Sequence, residues 1–147
     1  MTNKITIFPC SGVGTVLGTI SRQVAYKVIE TFPNDTLLLC LPALVRLVQE
    51  DLEMLLYPVI VIEGCNKKCA NYVLKRFRRP RIIHTFNICD FIKQNKIIVK
   101  NENRGELQDE EKRVVDIVAK QVVQIIKKIA GGKRGEEPCL CREKGEV

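Results

Sequence analysis

The stretch EGCNKKCA, residues 63–70, places two cysteines four positions apart directly behind a run of aliphatic residues. Two thiols at that spacing can share a soft metal ion, exchange as a dithiol, or act as a nucleophile and its resolving partner. Five more cysteines occur, Cys10, Cys40, Cys89, Cys139 and Cys141, making seven in all. In a reducing compartment an odd set of this size serves metal binding or thiol chemistry sooner than disulfides. Which thiols act together depends on what the chain between them builds.

The chain has 147 residues, the size of one ordinary domain. Tryptophan is absent and aromatic residues make up only 5%, so Val, Ile and Leu must carry the core. KITIFP (4–9), TLLLC (36–40), VIVIEG (59–64) and RIIHTFN (81–87) are β-branched or continuously apolar and are cut off by turn residues, which predicts four strands. Between them, 15–32, 41–57 and 66–79 have helical spacing, with Pro33 and Pro80 as stops. DFIKQN (90–95) is expected as a short helix and KIIVK (96–100) as a fifth, edge strand. A long amphipathic helix is expected from Gln108 to Ala130, acidic at its start and basic at its end, with Val115, Val118, Val122, Ile126 and Ile129 as the buried stripe.

Strands alternating with helices require a mostly parallel sheet covered on both faces. The fold class is α/β: a Rossmann-like, doubly wound, three-layer domain of four or five strands with a long C-terminal helix. It is expected to span residues 1–130, followed by a flexible polar tail, 131–147, that carries a Cys-x-Cys pair.

In such a fold the loops leaving the carboxyl ends of the strands share one edge of the sheet, where ligands bind. Cys10 follows the first strand, Cys40 ends the second and Cys65 follows the third, with Cys69 one helical turn beyond on the same face. Four thiols from distant parts of the chain are thus expected on one rim. Four thiolates suit a tetrahedral zinc ion with metal–sulfur distances of about 2.3 Å. Cys65 and Cys69 in the first turn of a helix would have lowered pKa values, helped by Lys67 and Lys68. The glycines of SGVG (11–14) let the backbone turn tightly and aim N–H groups inward, and Glu63 is placed to accept from loop N–H groups as an orienting residue. The same four thiolates would also serve an iron–sulfur carrier. A redox or sulfur-transfer enzyme would use Cys65 as nucleophile and Cys69 or Cys10 as resolving thiol.

CSGVG (10–14), CLPAL (40–44) and EGCNKKCA (63–70), each after a successive strand, resemble the DGC-domain family, whose members are proposed to bind zinc and are named for an Asp-Gly-Cys motif. The resemblance implies that Cys10, Cys40, Cys65 and Cys69 are the family's four cysteines and that they hold zinc. Glu63 stands where the name-giving motif has aspartate, one methylene longer. The motifs cover about the first half of the chain.

Other features have blander readings. Cys89 follows the fourth strand, where it is either a packed small side chain or an accessory thiol on the same rim; Cys139 and Cys141 are accessory thiols of the tail. His84, the sole histidine, is expected to be structural. The basic run Lys75, Arg76, Arg78, Arg79, Arg81 reads as a solvated helix end, and the net charge of +7 as general attraction to polyanions, so no nucleic-acid site is assigned. GVGTVLG (12–18) misplaces the third glycine of a dinucleotide fingerprint, no Gly-Lys-Ser or Gly-Lys-Thr phosphate loop occurs, and Val16 stands where a cysteine phosphatase needs arginine. No secretory leader is read at the start, and no stretch reaches the roughly 18 apolar residues of a membrane span. The expectation is a cytosolic zinc-binding protein in metal handling or sensing, or in a complex with an unidentified protein partner, possessing a core of its own that folds without metal.

Overall fold

The computed structural model describes residues 4–78 and 80–131, so Cys139, Cys141 and the tail lie outside the described residues. Its elements run β1 (Ile5–Pro9), α1 (Val16–Thr31), β2 (Thr36–Leu38), α2 (Leu41–Val45), α3 (Gln49–Met54), β3 (Val59–Glu63), α4 (Cys69–Leu74), β4 (Ile82–Asn87), α5 (Ile88–Gln94) and α6 (Asp109–Gly131). β1 and β3 are buried at all five positions and apolar at all but Thr6 and Glu63, as befits central strands of a doubly covered sheet. Thr15 caps α1 by accepting from the Gly18 N–H at 3.2 Å. α6 opens with Asp109, Glu110 and Glu111 and has Lys128 in its last turn, matching the sign of the helix dipole at both ends.

The four strands form one parallel sheet in the order β2-β1-β3-β4. From β1 the chain moves outward to β2 and then crosses back to β3, so the strand order reverses between β1 and β3. In open parallel sheets such a switch point, at the carboxyl ends of these two strands, is where ligands bind. Side chains alternate between the faces. Ile5, Ile7, Ile60 and Ile62 meet the apolar stripes of α1 and α6, including Val24, Val28, Val118 and Val122. Phe8, Val59 and Val61 meet Leu39, Leu44, Val73 and Leu74 from the segments that carry α2 and α4.

Three expectations are corrected. Residues 41–57 are not one helix: Leu47 takes a left-handed conformation, φ 63°, between α2 and α3. The reversal lets α3 return along the sheet, so that Asp51 faces the start of α2. The helix expected over 66–79 is only α4, because Lys68, φ 52°, breaks the chain just before it. KIIVK is not a strand: Ile97 packs into the larger core, Ile98 is exposed, and among the described residues the sheet stops at β4. Cys40 lies two residues past the end of β2 and caps α2 without a side-chain bond.

Candidate functional site

The cysteine-bearing loops sit where the topology predicts, at the carboxyl ends of β2, β1 and β3 in that spatial order. Cys10 and Cys65 flank the switch point. Cys40 follows the neighbouring strand on one side, and Cys89, in the first turn of α5, follows β4 on the other. The Cys89 N–H donates to the Gly64 carbonyl at 3.1 Å, tying the start of α5 to the residue before Cys65. Cys10 is buried, Cys65 and Cys89 are half-buried, and Cys40 and Cys69 are exposed; all five are free thiols.

Each of the three loops is held by a buried polar side chain, Ser21 and Asp51 from other elements and Glu63 from the end of the strand that the loop leaves. The Cys10 N–H donates to the Ile62 carbonyl at 2.8 Å and to Ser21 Oγ at 3.1 Å, while the Ser21 hydroxyl donates to the same carbonyl at 2.6 Å. Ser21, fully buried on the apolar face of α1, thereby links the ends of β1 and β3 where they begin to part. The Cys40 N–H donates to Asp51 Oδ1 at 3.0 Å, from α3. Glu63, fully buried, accepts from the Asn71 N–H at 2.7 Å, from Asn71 Nδ2 at 3.0 Å and from the Ala70 N–H at 3.4 Å, fixing the first turn of α4 behind Cys69. Glu63 accepts from backbone N–H groups, those of the first turn of α4 rather than of the loop before it. Ser21 and Asp51 were not singled out in the sequence, although a serine in register with Leu17, Val24 and Val28 is a polar residue on an apolar stripe.

The glycine loop after Cys10 is packed backbone to backbone. A Cβ on Gly18 would lie 1.9 Å from the Gly12 carbonyl oxygen, and one on Gly64 would lie 3.1 Å from the backbone of Leu17 and Gly18. Gly12 in turn faces the Cys10 sulfur, 3.3 Å from where its own Cβ would be. The third glycine of GVGTVLG therefore serves close approach of loop and helix. Arg22 closes the loop by donating Nη1 to the Gly12 carbonyl and Nη2 to Thr19 Oγ1, both at 3.0 Å; the Thr19 hydroxyl donates to the Arg104 carbonyl.

Two electrostatic expectations change. Cys65 and Cys69 do not share a helical turn, because the left-handed Lys68 separates them and Cys65 lies in the preceding turn. The Cys69 thiol is pushed up from its ordinary value rather than down: burial around the sulfur is the largest cause, followed by Cys10, Cys65 and Glu63, with Lys67 opposing. The helix start cannot compensate, since α4 is six residues long and its first N–H groups already serve the Glu63 carboxylate. Cys10 and Cys65 each lie near enough to Cys69 to contribute to that rise.

A zinc ion held by four thiolates needs sulfurs about 3.8 Å apart, given arms of about 2.3 Å. Neighbouring strand ends about 4.8 Å apart can supply that span. The donor type and the positions of the loops fit such an ion, but as the side chains stand, no group of three or more Cys, His, Asp or Glu among the described residues is gathered to hold one. No described helix is long and apolar enough to cross a membrane. No curated protein and no solved structure matches the chain. The model of the DGC domain matches residues 6–119, from β1 into α6, and with the loops of Cys10, Cys40, Cys65 and Cys69 all inside that span the chain belongs to the DGC domain family.

Proposed function

We propose that this protein binds one zinc ion through Cys10, Cys40, Cys65 and Cys69 and takes part in metal handling or sensing in a reducing, cytosolic setting. The observation that carries this reading is the clamping of all three thiol-bearing loops by buried polar side chains, Ser21, Asp51 and Glu63. Two of the three clamps are carboxylates, so thiolates formed beside them gather negative charge that a dication relieves. The N–H groups of Cys10 and Cys40 are taken by protein acceptors and cannot stabilise an oxyanion beside those sulfurs, which favours metal binding over acyl or phosphoryl chemistry there. Exposure of Cys40 and Cys69 favours exchange over a sealed structural site, the ion completing its coordination when these two side chains turn inward. Ser21, Asp51 and Glu63 would hold the loops in register with the ion, as outer partners do in metal sites.

The test is elemental analysis of protein purified without oxygen, with thiol titration before and after chelation. One zinc per chain, with four thiols protected until chelation, is the expected result. Iron with matching sulfide would make this a cluster carrier, and no metal with Cys65 reacting fast at neutral pH would make it a thiol enzyme; either overturns the zinc reading. Because both cores pack without the thiols, the chelated protein is expected to unfold cooperatively, and loss of that transition would mean the metal is structural.

A further inference from the structure

The two edges of the sheet differ. β2 is three residues long, too short to recruit another strand, whereas β4 has six. Edge strands of soluble proteins are guarded by charge, proline or shortness, and β4, IIHTFN, has none of these within it. Its one irregularity is a register shift against β3 near its amino end, which leaves His84–Asn87 regularly paired. Ile82, His84 and Thr85 are exposed, and among the described residues no strand pairs with the outer side of β4.

We propose that β4 is a dimer interface, in which two copies of this chain pair their β4 strands antiparallel about a two-fold axis through Thr85. A two-fold axis normal to the sheet keeps faces matched, so residues of equal parity oppose one another. His84 of each copy then faces Phe86 of the other. These two rings already pack within one chain, with centroids 4.4 Å apart, so the pairing adds an aromatic cross-strand contact on each side of the axis. Thr85 meets Thr85, a favourable cross-strand pair. Arg81, exposed just before the strand, falls beside the carboxyl end of the other copy's strand, where Asp90 lies in the first turn of α5, and by symmetry this pairing of opposite charges occurs twice. The strand thus matches its own reverse at its centre, through the His84–Phe86 and Thr85–Thr85 pairs, and in charge at its ends, which is what selects a second copy over an unrelated segment. The net charge of +7 opposes association at long range, so the dimer is of moderate strength.

Sedimentation velocity of the full chain from roughly 5 to 200 µM covers the affinities of such contacts. A concentration-dependent monomer–dimer equilibrium is expected. Thr85→Lys, which sets two ammonium groups on the axis, is expected to give monomer throughout. Arg81→Glu is expected to weaken the dimer about fivefold or more, and Arg81→Glu with Asp90→Arg to restore it. A wild-type chain that stays monomeric, a dimer unmoved by Thr85→Lys, or a charge swap that restores nothing overturns the proposal. Circular dichroism identifies any variant that fails to fold; His84→Glu, at another exposed position, then replaces it with the same expected monomer. Zinc content is read separately on each variant, so loss of the dimer and loss of the metal site are distinguishable.

Discussion

Gly18→Ala sets two principles against each other. In a solvent-exposed helix, alanine for glycine gains about 1 kcal/mol of propensity. Gly18 is the third residue of α1 but is buried, and its new Cβ would sit 1.9 Å from the Gly12 oxygen and 2.9 Å from the Gly12 Cα, both backbone atoms that no side-chain rotation can move away. The loop would have to retreat by roughly 1 Å before ordinary contact is restored. That retreat weakens the bond from Arg22 to the Gly12 carbonyl and strains the hydrogen bonds that seat Cys10. Overpacking of this kind costs about 1–3 kcal/mol, and a bond to a charged donor about as much again. After the propensity gain, a net loss of about 3 kcal/mol is expected, which lowers Tm by about 10 °C for a domain of this size. The assay is thermal and urea unfolding of the metal-free protein, together with the rate at which Cys10 reacts with a thiol reagent; the variant should melt earlier and expose Cys10 faster. Gly14→Ala is the control, since nothing lies within 4 Å of its Cβ position. A Gly18→Ala protein as stable as wild type, or more stable, would refute the close-packed loop.

Ser21→Ala leaves the Cys10 region short of one acceptor and one donor; a loss of about 1–2 kcal/mol is expected in urea unfolding, with faster labelling of Cys10. Asp51→Ala frees the Cys40 backbone, and its signature is weaker zinc binding by 10-fold or more in a competition titration while the far-UV spectrum is unchanged. Glu63→Asp installs the residue of the family motif but shortens the reach to the Asn71 N–H; α4 should loosen, seen as faster amide exchange at Ala70 and Asn71. For Cys69 the folded thiol holds its proton to higher pH than the unfolded one, so the folded state binds more protons between the two values. Stability of the metal-free protein from this group is full below the ordinary thiol range and falls as pH rises through it toward the raised value. Cys69→Ser should remove that component of the pH profile, and an unchanged profile would contradict the assignment.

The four strands and the placement of thiols behind them were legible because both rest on local signals: aliphatic runs cut by glycine or proline, and cysteines close behind them. The breaks were not legible. Leu47 and Lys68 carry positive φ without being glycine or asparagine, and each is imposed by what the following segment must reach, Asp51 for the Cys40 N–H and the first turn of α4 for Glu63. KIIVK has the composition of a strand, but Ile97 finds its burial in the core under α6, so composition loses to tertiary contact. Asp51 lies in QEDLE, a run that reads as a solvated helix face, and only the reversal at Leu47 turns it inward. The raised Cys69 thiol follows from the same cause, a helix start whose donors answer to a neighbouring carboxylate that no spacing rule connects with it.

The two sides of the sheet are built to different weights. Helices of 16 and 23 residues cover one face, and the loop of Cys10 is locked onto the first of them. The other face is covered by helices of 5, 6 and 6 residues, and it is these that carry Cys40 and Cys69. Segments with so few internal hydrogen bonds open by themselves well before the whole domain does. The thiol rim is therefore a jaw with one anchored side and one hinged side. Under the zinc reading proposed above, brief local openings would swing Cys40 and Cys69 outward while Cys10 stays seated, so the ion would leave in stages from the light side, at a rate set by the fraying of α2 to α4 and independent of the strength of the main core.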